Sequence, residues 1–162
     1  LTDNYNPRTG LVSLSQSTYG STSVAALAVA AHEIGHVMQH QEGYIPIKIR
    51  NAILPAASIG STAAPYIVIL GAIMGSYNLA MIGVYLFLAM LIFQIVTLPV
   101  ELNASSRGLE MLESGGYISY DQRGDAKAVL KAAAMTYIVA ALSTLVSFLR
   151  LLMIANNSRR RN

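Results

Sequence analysis

From Ala52 to Leu98 the chain contains no Asp, Glu, Lys, Arg or His, and nothing else in it restricts the fold so strongly. An α-helix crosses a bilayer with about 20 apolar residues, so this run is long enough for two crossings. A soluble helical pair would alternate polar and apolar faces with a period of 3.6 residues, and this run does not. It therefore reads as membrane. A composition of 54% hydrophobic and 12% charged residues points the same way. The expected fold is an all-α integral membrane protein, a single domain over 1–162, with about three transmembrane helices at 52–74, 79–98 and 132–154 and at most one short edge strand.

The punctuation of the chain fits this plan. Pro55 falls in the first turn of the first span, where a missing N–H is harmless, whereas Pro65 is internal and should kink it. Gly75 to Asn78 make a very short reversal, and Pro99 ends the second span. The two helices are then antiparallel neighbours, and the chain after Pro99 returns to the side it left. Asp125 is placed to cap the next helix, which climbs through Lys127 and Lys131 into the third span, with Arg150 close enough to an end to snorkel. Arg159, Arg160 and Arg161 read as a membrane-flanking anchor, and no nucleic-acid partner is indicated. The polar opening from Leu1 to Gly10 reads as loop with no signal peptide in view. Leu11 to Ser15 is a weak strand, either an edge that could pair with a substrate backbone or an ordinary surface segment.

Ahead of the first span lies the stretch that prescribes chemistry, His32-Glu33-Ile34-Gly35-His36. Ser21 to Ser23 offer a hydroxyl cap and Gly43 a stop, so the stretch sits late in a helix over 23–41. Residues four apart share a helical face, so both imidazoles can point at one metal ion, while Glu33 on the adjoining face can reach a water on it. Two histidines and a glutamate on an Ala-rich helix packed from several sides are costly to bury without a partner, and a metal is one. With no cysteine in the chain, zinc would rest on histidine and carboxylate.

The third ligand lies elsewhere. His40 is eight residues from His32, about 12 Å along the axis, which places it against a ligand or at the surface. Glu101 is the first carboxylate after the uncharged run, and the antiparallel hairpin returns it to the side of the histidines. It is the best candidate, ahead of Glu42 and Glu110, and completes a His, His, Glu set. Ser105, one turn on, is placed to hydrogen-bond a ligand. Tyr137, near the start of the third span, is either an oxyanion donor or an interfacial anchor.

Three stretches carry a specific resemblance: Ala30-Ala31-His32-Glu33-Ile34-Gly35-His36, Leu98-Pro99-Val100-Glu101-Leu102-Asn103-Ala104-Ser105, and the run from Ala126 to Tyr137. With them the chain resembles, over nearly its whole length, the YugP-type neutral membrane zinc metallopeptidases. That family is similar in its zinc logic to the membrane CAAX-processing and heat-shock peptidases. The resemblance implies zinc held by His32, His36 and Glu101, Glu33 as general base, and hydrolysis of peptide bonds in a protein or peptide substrate beside the lipid bilayer. Those relatives carry an aspartate where Ser105 stands, and the family usually opens with a further transmembrane segment. The alternative is a membrane protein that binds metal without catalysis, which would need the histidines but not Glu33. Arg8, Lys48, Arg50, Arg107, Arg123, Lys127 and Lys131 on the histidine side, together with the resemblance, favour a bacterial cell membrane with the site on its cytoplasmic face. The terminal arginines oppose that orientation.

Overall fold

A computed structural model describes residues 3–159, the side chains of the last two excepted. Arg160, Arg161 and the Arg159 side chain, expected to form an anchor, lie outside the described residues. The order is β1 (Asn4–Asn6), β2 (Leu11–Ser13), α1 (Gln16–Tyr19), α2 (Val24–Gln41), α3 (Ile45–Ile73), α4 (Tyr77–Ser114) and α5 (Arg123–Arg159). Among the described residues the fold is all-α apart from one small hairpin.

That hairpin lies partly in the stretch expected to be loop. β1 pairs antiparallel with β2, Tyr5 opposite Val12. The Asn6 side chain accepts from the Arg8 N–H at 2.9 Å, and Gly10, at φ +69°, donates its own N–H to the Asn6 carbonyl at 2.9 Å. The turn closes the strands before any hydrophobic pattern could mark them. The weak strand at Leu11 thus has a partner in β1, which packs against α2.

At the start of α2 the Ser23 hydroxyl accepts from the Ala26 N–H at 3.2 Å, satisfying one of the unpaired donors of the first turn. At its end Gly43 adopts φ +66°. This lets Tyr44 donate to the Gln39 carbonyl at 2.9 Å and Gly43 to that of His40 at 3.2 Å, a Schellman closure. Each of the long helices overruns its expected span. α3 begins at Ile45, so Pro55 is interior to it rather than in its first turn. α4 continues through Pro99 to Ser114, so Glu101 belongs to the same helix as the second span. A proline removes one backbone bond, and a long apolar helix tolerates that loss. Asp125 sits inside the first turn of α5 rather than ahead of it, still where the dipole favours a carboxylate.

The chain packs as two compact units, one of residues up to Ile47 with Leu98–Thr136, the other of Lys48–Thr97 with the chain from Tyr137 on. The first has a core of Ala28, Ala31, Leu112, Ile118, Ala126 and Leu130. In the second, Ala64, Val68, Ala80, Val84, Phe87 and Leu151 form the core. There α3 and α4 approach so closely that a Cβ on Gly60 would lie 2.1 Å from the Leu86 carbonyl oxygen, the small-residue packing of helices in lipid. α3, α4 and α5 are each long and apolar enough to cross a membrane. In the most apolar stretch of α4 only 22% of residues are buried. Large apolar side chains of this helix, among them Ile82, Tyr85, Ile92 and Ile95, are exposed, and a lipid environment accounts for them.

Candidate metal centre

The site is built where α2 and α4 cross within the first unit. A Cβ on Gly35 would lie 2.2 Å from the Ala104 carbonyl oxygen, and one on Gly108 would lie 2.6 Å from that of Ala31. Only glycine permits that approach, and it brings side chains far apart in sequence into contact. Oε2 of Glu101 lies 3.2 Å from Nε2 of His32 and 3.5 Å from Nε2 of His36. The two imidazoles stand edge to face with centroids 4.7 Å apart.

The donor set suits a metal ion. One ligand atom from each of His32, His36 and Glu101 lies within 4.8 Å of the others. Ligands about 2.0–2.1 Å from a tetrahedral zinc stand about 3.4 Å from one another, close to the two contacts seen. The Glu101 carboxylate is 2% exposed, and a buried charge of this kind needs a cation or proton donors around it. Burial opposes the charged form of His36, but the hydrogen bond and charge of Glu101 outweigh it and raise its pKa above the ordinary histidine value.

Each imidazole is held from behind. Nδ1 of His32 lies 3.0 Å from the Ser105 hydroxyl, and Nδ1 of His36 lies 3.0 Å from Oε1 of Gln39. The sequence reading did not single out Gln39. It stands one turn past His36 as Ser105 stands one turn past Glu101, so the same spacing argument would have found it. Its amide also donates to the Val100 carbonyl at 2.7 Å and to Asn103 Oδ1 at 3.0 Å.

Glu33 is 8% exposed and stands outside the His, His, Glu group, toward β1, where the Tyr5 backbone N–H reaches its carboxylate. Burial pushes its pKa above the ordinary value, against the pull of His32 and His36, and the Glu101 charge adds to the rise. Neither Tyr5 nor β1 was expected beside the site. The other candidates have surroundings of their own. His40 is exposed, its ring edge-on to Tyr5 at 6.1 Å. Glu42 is held by Arg107 at 2.6 Å. Glu110 lines a groove of about 550 Å³ with Met38 and Arg107. Tyr137 belongs to the second unit, while the group described here lies wholly in the first.

Fold and site together define a class: an all-α protein with helices able to cross a membrane, in which an H-E-x-x-H helix and a downstream glutamate form a group fit to hold a metal ion. The chain belongs to the family described as "Putative neutral zinc metallopeptidase", which it matches over residues 1–156. It is 43% identical over 162 residues to "Putative membrane protease YugP" of Bacillus subtilis (strain 168), an alignment covering 100% of this chain and 72% of that protein. No solved structure matches it.

Proposed function

We propose that this chain is a zinc metalloendopeptidase of the membrane, with His32, His36 and Glu101 holding the metal and Glu33 as general base. The observation that carries the reading is the convergence of one Glu101 oxygen on the Nε2 atoms of both histidines. Zinc, when bound there, supplies Lewis-acid polarisation of the scissile carbonyl and lowers the pKa of the attacking water. Glu33 takes the proton of that water onto its carboxylate and delivers it to the leaving amine. A raised pKa suits a group that must first accept a proton and then release it. Ser105 and Gln39 orient the imidazoles from behind.

A protein that only binds metal would leave Glu33, buried and outside the ligand group, without a role. Arg8, Arg107, Arg123, Lys127 and Lys131 all belong to the unit that holds the site, which favours a cytoplasmic face in a bacterial cell membrane. Peptide segments at that surface are the substrate class.

The test is metal analysis of the purified chain in detergent, followed by cleavage of a peptide library before chelation, after chelation and after zinc is restored. Stripped protein should be inactive and zinc should restore it. Full activity without metal would refute the reading. Proteomics of cells expressing wild type against Glu33→Gln then identifies substrates.

A further inference from the structure

The geometry points to Gln39 as a positioning residue that fixes which nitrogen of His36 faces Glu101 and ties the two helices that carry the metal-type group. Gln39 is fully buried, at 0% exposure, and both protons of its amide and its oxygen make hydrogen bonds. The orientation of that amide is fixed by a chain of groups that can act in only one sense. Arg107 has donors only, and its Nε donates to Asn103 Oδ1 at 2.7 Å, so that atom is the amide oxygen. The same oxygen accepts from Gln39 Nε2 at 3.0 Å, as the Val100 carbonyl does at 2.7 Å. Both donors of Gln39 therefore point at α4, and its oxygen is left facing Nδ1 of His36 at 3.0 Å.

An amide oxygen can only accept, so Nδ1 of His36 must carry a proton, and in the neutral imidazole that binds metal the Nε2 lone pair is then free. His32 is not fixed in this way, because the Ser105 hydroxyl behind it can donate or accept. The second donor bond of Gln39 ends on the carbonyl of Val100, the residue immediately before Glu101. One side chain thus orients one ligand and holds the backbone beside another. The chain of bonds runs outward through Arg107 to its ion pair with Glu42 at 2.6 Å.

The inference rests on the zinc-binding reading, and its test separates the two. The full chain in detergent, as wild type, Gln39→Met and Gln39→Glu, is stripped of metal and titrated with zinc against a chromogenic chelator. Thermal melting is measured in parallel. Met matches the volume of Gln and removes both functions, so zinc affinity should fall roughly 10- to 100-fold. Glu still accepts from Nδ1, now with a full charge, but has lost the donors to Val100 and Asn103, so its affinity should equal or exceed that of wild type while its melting temperature drops. A merely structural role would lower affinity alike in both variants, in step with stability, and that result would overturn the inference. So would Gln39→Met binding zinc as tightly as wild type. In zinc-loaded wild type, ¹⁵N spectra should show a His36 Nδ1–H protected from solvent exchange, and a rapidly exchanging one is a disproof that needs no variant. Wild type that takes up no zinc sinks the metallopeptidase reading itself.

Discussion

The carboxylate of Glu101 meets the imidazole of His32 at 3.2 Å across 69 residues of sequence. The intervening chain is a helical hairpin with no charge between Ala52 and Leu98, and α4 carries its second arm directly into Glu101 without a break. The carboxylate therefore stands on the continuation of an apolar helix and not on a loop. Its orientation is set by helix packing, the kind of support that metal ligands require.

Glu101→Ala should lose zinc. Two imidazoles alone do not complete a site of three protein ligands, and the alanine leaves His32 and His36 facing one another without a carboxylate. Equilibrium dialysis should show binding at least about 100-fold weaker than wild type, beyond the effect usual for a residue that only supports a ligand. Retention of stoichiometric zinc would move the third ligand elsewhere.

Glu33→Gln should have the opposite signature. The amide keeps the shape of the side chain and, lying outside the ligand group, should leave zinc content unchanged. It cannot accept a proton, so turnover should fall roughly 10²–10⁴-fold. Metal analysis and peptide cleavage on the same preparation separate this variant from Glu101→Ala. A Glu33→Gln protein that cleaves at the wild-type rate has its base somewhere else.

Much of this arrangement was legible because it follows short periods. Four-residue spacing put His32 and His36 on one face, the uncharged run announced the hairpin, and the hairpin implied the return of Glu101. What escaped depends on contacts between distant segments. β1 is three residues long and is set by a turn and by packing on α2, neither of which leaves a pattern. Pro99 looked like a helix end, although a long apolar helix tolerates the loss of one backbone bond. Gln39 was not singled out; its place one turn past His36 was a usable signal, but its bonds to Val100 and Asn103 left none in the sequence.

Ser105 offers a graded test. Ser105→Ala removes the hydroxyl 3.0 Å behind His32 and should weaken zinc binding by roughly 10-fold, the lower end of what such partners contribute. Ser105→Asp would accept from Nδ1–H with a full charge, raise the basicity of His32 and tighten binding. Chelator competition measures both. If Asp binds zinc no better than Ala, the hydroxyl is not acting through His32.

Acid should loosen the hairpin. Slight burial works against the Asp3 charge, but the Ser15 backbone N–H and the Thr18 and Ser15 hydroxyls outweigh it and hold its pKa below the ordinary carboxylate value. A carboxyl lowered on folding contributes stability that is complete above its unfolded pKa and is lost as pH falls through the folded value. The Ser15 amide, 2.7 Å from Asp3 Oδ1, should therefore lose hydrogen-exchange protection below about pH 3.8. In Asp3→Asn that protection should be weak already at neutral pH and no longer change with acid. Equal protection in both proteins across this range would show that Asp3 does not tie the hairpin to α1.

Gly35 gives the sharpest structural test, because one substitution carries opposite expectations at two sites. Alanine is the better helix former by about 1 kcal/mol, and at Gly124, where an added Cβ meets nothing within 4 Å, Gly124→Ala should raise the melting temperature or leave it unchanged. At Gly35 the added carbon would sit 2.2 Å from the backbone oxygen of Ala104. A backbone atom cannot rotate aside, so α2 and α4 must separate, at a cost of about 1–3 kcal/mol for overpacking that exceeds the gain in propensity. Ala104 lies one turn from Glu101, so the separation also opens the contacts of Glu101 with His32 and His36. Gly35→Ala should therefore lower both melting temperature and zinc affinity, with Gly124→Ala as the matched control. A Gly35→Ala protein that melts higher and binds zinc normally would show that the helices do not cross as closely as the Gly35–Ala104 contact requires.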